Sequence, residues 1–335
     1  MRARVHVLFA AALAAGCAPA TSPAPDAALA GDLHFPRDWV AAPALYARTG
    51  VKAIDVLGDV HGDPEAAVEI LAAAGLVGAA PPHRWTGGAR ILVVTGDVID
   101  KGTRATKAID LLAALEREAR AAGGDVVVTL GNHEAEFLAD PMGQKSRAFQ
   151  AELMSIGLDP ARVAAGETRY GEWLRTLPVA ALIDDWFLCH GGDTGEMSAE
   201  EIGKKFRKLF EGARARAPYD DDFLLGGKSL LEASAWWLDG GGLARLAKVE
   251  ANLKKLPAKH VVFGHDPGDL DFPGDPLGDR ARGTLAARYG GRLFLVDVGM
   301  SYAVGYAKGA LLRITRDPDE AIALSADGKA RRLWP

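Results

Sequence analysis

One punctuation recurs five times along the chain: a short apolar run stops at a glycine-flanked polar box. Ala53 to Leu57 runs into GDVHG (58–62), and Ile91 to Thr95 into GDVIDKG (96–102). Val126 to Leu130 runs into GNHE (131–134), Trp186 to Cys189 into HGG (190–192), and His260 to Phe263 into GH (264–265). Brief apolar runs bounded by turn formers are buried strands. In an open α/β sheet the ligand crevice lies beyond the carboxyl ends of the strands, so residues far apart in sequence can meet there. Helical signals fill the gaps. Asp63 is placed to N-cap a helix that opens on Pro64 and stops at Gly75. A second helix is predicted from about Thr103 to Ala121, with Ile109, Leu112 and Leu115 on one face. The predicted fold class is α/β, with stacked mixed β-sheets flanked by helices.

Further strands are expected at 179–183, 292–298 and 310–314, the first forming a hairpin with the 186–190 strand around Asp184-Asp185. One domain is expected over 49–325, with helical insertions at about 135–178 and 198–256. Residues 326–335 read as a C-terminal tail, and 18–48 as an Ala/Pro-rich tether and lead-in. Within it APATSPAPDAALA (18–30) carries almost no charge and cannot bury a core.

Residues 1–17 carry Arg2 and Arg4, then an apolar stretch from Val5 to Ala15, then Gly16-Cys17. That stretch is too short to span a bilayer. The segment resembles a bacterial lipoprotein signal, which implies lipidation of Cys17, export, and a membrane-anchored chain facing the periplasm or exterior; a plain secretory signal is the alternative. The other cysteine, Cys189, lies in an apolar run and reads as a small buried hydrophobe. A net charge of −5 and a pI near 5.9 argue against a basic nucleic-acid-binding face. Oligomeric state is left open.

The boxes supply two aspartates, an asparagine and three histidines, namely Asp59, His61, Asp97, Asn132, His190 and His265. Hard oxygens with imidazole nitrogens suit Mn²⁺, Fe or Zn²⁺. Taken in order, the boxes resemble the calcineurin-like metallophosphoesterases. They are most similar to the phosphoprotein phosphatase branch and its Shewanella-like members, as are YGEWLRTLPVAALIDDWFLCHGG (170–192) and LVDVGMSYAVG (295–305). The resemblance covers roughly residues 52–315.

It implies an α/β/β/α fold holding two metal ions, Mn²⁺ and/or Fe, with Zn²⁺ as the alternative. Asp59 and His61 would hold the first metal, Asp97 would bridge, and Asn132, His190 and His265 would complete the second. His133 would be the general acid oriented by Asp100, Glu134 a supporting residue, and Asn132 with Lys101 the phosphate contacts. The implied reaction is hydrolysis of a phosphorylated substrate, a phosphomonoester with phosphoproteins of the Ser/Thr type among the candidates, by in-line attack of a hydroxide held between the metals. A diester or dinucleotide polyphosphate is the alternative substrate class, and a non-catalytic lipid-tethered binding protein the more remote reading. Two departures stand out. Lys101 occupies a position where this branch has arginine, and the stretch Ala235 to Asp239 lacks the branch's second arginine. Lys228, Arg245, Arg280 and Arg282 are candidates to replace it.

Overall fold

The computed structural model describes residues 37–211, 217–238 and 244–335. The signal segment, Cys17 and the tether up to residue 36 lie outside the described residues.

Among the described residues, twelve strands and eight α-helices follow in order: β1 (Leu45–Arg48), β2 (Ala53–Leu57), α1 (Pro64–Ala73), β3 (Ile91–Val94), α2 (Ala105–Ala121), β4 (Asp125–Val128), α3 (Asn132–Ala139), α4 (Arg147–Ser155), α5 (Pro160–Ala164), α6 (Arg169–Leu174), β5 (Ala180–Ile183), β6 (Trp186–Cys189), α7 (Ala199–Lys208), α8 (Ala244–Lys255), β7 (His260–Phe263), β8 (Ala286–Arg288), β9 (Leu293–Leu295), β10 (Ala310–Arg316), β11 (Asp319–Ser325) and β12 (Ala330–Trp334). They form two six-stranded mixed sheets flanked by helices, ordered β1-β5-β6-β7-β9-β8 and β12-β11-β10-β2-β3-β4.

Each sheet contains three adjacent parallel strands. In one, β2, β3 and β4 run side by side with Leu57, Val94 and Val128 in register. In the other, β6, β7 and β9 do the same with Cys189, Phe263 and Leu295. Because register is kept, the three strands of each set stop at one level. The two sets meet there: a Cβ on Gly58 would lie 2.5 Å from the Val296 carbonyl oxygen. Apart from half-buried Ala53 at the start of β2, all six strands are buried along their length, as expected for parallel strands covered on both faces.

Local signals hold where the sequence is explicit. The Asp63 side chain accepts from Ala66 N at 3.1 Å and caps α1 at Pro64. Helix α2 buries Ile109, Leu112 and Leu115, and 135–178 is mostly helical.

Three boundaries need correction. The segment expected as a lead-in through 48 contains β1, which pairs in parallel with β5. The expected tail at 326–335 contains β12, the edge strand beside β11, and Trp334 packs edge-on against His260 with centroids 4.7 Å apart. Charged residues such as Arg331 and Arg332 made this run look like a tail, but charge is what an exposed edge strand carries. The expected helical insertion at 198–256 is helical only near its ends. Among the described residues, 217–235 form turns, tied by the Asp221 side chain to Phe223 N at 3.0 Å and interrupted by Gly226-Gly227.

Candidate metal centre

Every predicted ligand sits just past a parallel strand. Asp59, Asp97 and Asn132 follow β2, β3 and β4, while His190 and His265 follow β6 and β7. The turns that aim them are strained. His61, Asp97, Asp100, Lys101 and His265 all have positive φ, between 43° and 67°. Non-glycine residues hold such angles only where surrounding structure enforces them, at about 1 kcal/mol or more apiece.

Two glycines show why the boxes can touch. A Cβ at Gly131 would lie 2.3 Å from Asp97 Oδ1, and one at Gly264 would lie 2.2 Å from Asp59 Oδ1. Glu134 then locks the loops. Its carboxylate accepts N–H bonds from Asp97 (2.8 Å), Val98 (2.8 Å), Ile99 (3.0 Å) and Gly131 (3.0 Å), which makes it the supporting residue expected.

Four donor atoms converge on one point. His190 Nε2 lies 2.9 Å from Asn132 Oδ1, 3.3 Å from Asp97 Oδ1 and 3.3 Å from His265 Nδ1, and His265 Nδ1 lies 3.2 Å from Asn132 Oδ1. Ligands held about 2.1 Å from a tetrahedral ion stand about 3.4 Å apart, so these atoms fit a shared cation. Beside them, His61 Nε2 lies 3.6 Å from Asp97 Oδ2 and 3.9 Å from Asp59 Oδ2. Asp97 faces both groups, one oxygen to each. The inward nitrogens are set by outward bonds: His190 Nδ1 lies 2.7 Å from the Thr95 carbonyl and His61 Nδ1 3.3 Å from that of Ile99. Anchoring one ring nitrogen on a carbonyl leaves the other bare for a metal.

Charge separates the three histidines: burial opposes a charged His190, but Asp97 outweighs it and raises the imidazole, while the other two move down. Burial pushes His61 down to about 3 and His265 down to about 4, the latter helped by His190. Both imidazoles are therefore in the neutral form that a metal binds. Burial pushes Asp59 well up, reinforced by the carboxylates of Asp297 and Asp97. Such crowding of buried acids calls for positive charge.

His133 and Asp100 stand together beside this cage. His133 Nδ1 lies 3.1 Å from Asp100 Oδ2, and its Nε2 is 3.9 Å from Asp97 Oδ2. Burial opposes a charged His133, but Asp97 and Asp100 outweigh it and lift the imidazole to about 9. Asp100 is itself fixed, since its Oδ1 accepts from Ala148 N (2.8 Å) and Phe149 N (3.1 Å) at the start of α4.

Lys101 reaches inward, with Nζ 2.9 Å from His61 Nε2. The candidate arginines do not join it. Arg280 is buried and donates to the carbonyls of Asp266, Gly268 (3.0 Å), Thr284 (2.8 Å) and Asp297, so its fork is spent on backbone. Arg282 pairs with Asp269 on the surface. Lys228 is exposed in a turn, and the Arg245 side chain lies outside the described residues.

One residue was missed. Asp297 follows β9 as Asp59 follows β2, is buried, and its carboxylate is one of those that push Asp59 up. Its signal was the VDVG run (296–299), another apolar stretch ending in Asp and Gly. The predicted strand ran on to 298 and so hid the aspartate inside it.

Residues 52–269 match the calcineurin-like phosphoesterase family. The chain belongs to the calcineurin-like phosphoesterases. This phosphoesterase is 28% identical over 302 residues to an uncharacterized protein of Schizosaccharomyces pombe, covering 83% of this chain and 82% of that one. It is 26% identical over 270 residues to Shewanella-like protein phosphatase 1 of Plasmodium berghei, covering 76% and 69%. The cold-active protein-tyrosine phosphatase of a psychrophilic Shewanella has the same fold, with a TM-score of 0.66 at 21% identity over 87% and 82% of the two chains. Family and geometry together give the phosphoesterase a dinuclear metal site of hydrolase type.

Proposed function

We propose that this phosphoesterase hydrolyses phosphomonoesters, with Asp59, His61 and Asp97 holding a first metal ion and Asp97, Asn132, His190 and His265 a second. The observation that carries the reading is the His133–Asp100 pair. A binding site has no use for a proton donor anchored on a carboxylate and aimed at the shared ligand of the cage. Two metal ions bound there would supply positive charge to the phosphoryl oxygens and acidity to the attacking water. His133 Nε2 delivers its proton to the departing oxygen, and Asp100 keeps Nδ1–H fixed and the ring charged. Glu134 holds the 97–99 turn still while charge shifts. Oxygen and imidazole donors without a thiolate favour Mn²⁺ or Fe, with Zn²⁺ as the alternative.

The test is hydrolysis of an aryl phosphate by purified Mn²⁺-loaded protein, with Asp97→Asn abolishing it. Protein that binds two metals and turns over no phosphoester would sink the reading.

A second reading, a diester or dinucleotide polyphosphate as substrate, draws on the rim. Lys101 is turned to His61 and Arg280 is spent on carbonyls, so among the described residues neither offers a phosphate the two-pronged grip of arginine. Relative kcat/KM on phosphopeptides, nucleotides and diadenosine polyphosphates decides between them. Phosphoproteins belong to the first reading.

We also propose that Cys17 is lipidated and anchors the exported chain to a membrane, on the strength of the N-terminal sequence. Cys17→Ser should then move the protein from the membrane fraction to the soluble one; unchanged fractionation would remove the anchor.

A further inference from the structure

Most large cavities lie away from the cage. One of about 500 Å³, for instance, is lined by His260 and Gly291, at the opposite end of β7 from His265. A cavity of about 360 Å³ is different. Its lining includes Glu136, Asp140, Lys145, Ser146, Asp220 and Leu225.

Glu136 connects it to the metal centre. It lies on α3 one turn beyond Asn132 and His133, so its Cβ stands about 5–6 Å from theirs along the same side. Its Oε1 is 3.5 Å from Asn132 Nδ2. The residue is 7% exposed, and its Oε2 is buried with no hydrogen-bond partner. A buried carboxylate oxygen without a donor is costly. Its neighbours add negative charge: Glu232 lies alongside, and Asp140 and Asp220 line the same wall. Among the described residues the Lys145 ammonium bridges the two glutamates: it contacts Glu136 Oε1 and lies 2.7 Å from Glu232 Oε1. The Lys145 side chain is 66% exposed, so it is a long, solvent-reached arm resting on buried acids.

We infer that this cavity is a subsite for a positively charged group on the substrate's leaving alcohol. The substrate class is a phosphomonoester carrying a primary ammonium or guanidinium about one helical turn from the ester oxygen that His133 protonates. This deepens the phosphomonoesterase reading above and rests on it. The incoming cation takes the place of Lys145 on Glu136 and Glu232 and gives Glu136 Oε2 the donor it lacks. The same acids repel a substrate that puts further phosphates there, which disfavours dinucleotide polyphosphates. The shared chemistry has two sources, a small amino-alcohol phosphate or a phosphopeptide with a basic residue beside the phosphorylated one.

The experiment uses full-length, metal-loaded protein and two matched pairs. One pair is 4-aminobutyl phosphate against 4-hydroxybutyl phosphate; the other is a phosphoserine peptide with an adjacent arginine against the same peptide with citrulline. The reading is the ratio of kcat/KM within each pair. Wild type should favour the cationic member of at least one pair by about tenfold, and the pair that responds identifies the source. Glu232→Gln and Glu136→Gln should bring that ratio toward one, mainly through KM, whereas Lys145→Ala should raise it. Glu136 touches Asn132, so Glu232→Gln and Lys145→Ala carry the decision if Glu136→Gln misfolds. Ratios near one in both pairs, or a preference that neither Glu232→Gln nor Lys145→Ala shifts, overturn the inference. A parallel aryl phosphate assay separates the two levels: activity there with flat ratios rejects the subsite alone, and no activity there rejects the phosphomonoesterase reading beneath it.

Discussion

The cage and its rim are built on opposite plans. In the cage three residues are held from behind: His190 on the Thr95 carbonyl, His61 on that of Ile99, and Asp97 through its turn on Glu134. On the rim the charged groups are long, partly exposed or already engaged, as with Lys101 on His61, Lys145 on Glu136 and Glu232, and Arg280 on four carbonyls. A chain like this fixes its chemistry in rigid strand ends and leaves its choice of substrate to side chains that can be exchanged.

Substitutions should divide along that line. Asp97→Asn, the shared ligand, should eliminate aryl phosphate turnover and leave calorimetry showing fewer than two ions bound per chain. Retained turnover would break the distinction at its strongest point.

Next in size is His133→Asn, which should lower kcat by roughly 10²–10⁴ on alkyl phosphates and much less on nitrophenyl phosphate, whose leaving group needs no proton. Equal losses on both would remove His133 as the acid. The pH profile supplies a sign. His133 is raised toward about 9 and acts when protonated, so activity is full below that pKa and falls as pH rises through it. Asp100→Asn removes one of the raising carboxylates and should shift the alkaline limb to lower pH.

Arg280→Lys sharpens the boundary. A residue spent on carbonyls should cost stability when its fork is lost, about 1–3 kcal/mol, seen as a lower Tm with KM little changed. A rise in KM at constant Tm would return Arg280 to the rim. Lys101→Arg should change KM for phosphomonoesters by only a few fold, as a point charge becomes a fork.

The smallest effect is at Cys189. Burial lifts its thiol to about 12, so at pH 8 to 9 it stays protonated and should resist alkylation until the protein unfolds. Rapid labelling of native protein would show that the β6 end is looser than the cage requires.

Much of the cage was legible because its signals are local. A glycine, an aspartate and a preceding apolar run lie within ten residues of one another, and parallel strands in register carry such runs to one level without further information. The hairpin at Asp184-Asp185 and the α1 cap are legible for the same reason. What failed to show was mostly long-range. Strand β1 looks like a linker because its partner β5 lies far along the sequence, and β12 looks like a tail because an exposed edge strand carries charge in place of an apolar run. Asp297 was hidden by a strand boundary misplaced by a few residues. The role of Arg280 could not be read at all, since its four carbonyl acceptors belong to loops that come together only in the folded chain.

The meeting of the two sheets has a mechanical consequence. The proposed first metal would draw on Asp59, His61 and Asp97, all carried by loops of the sheet containing β2 and β3. The second would join Asp97 and Asn132 of that sheet to His190 and His265 of the other. One ion is thus a pin within a plate, and the other a rivet through two. Stripping the second should let the plates shear, while stripping the first should only soften one edge.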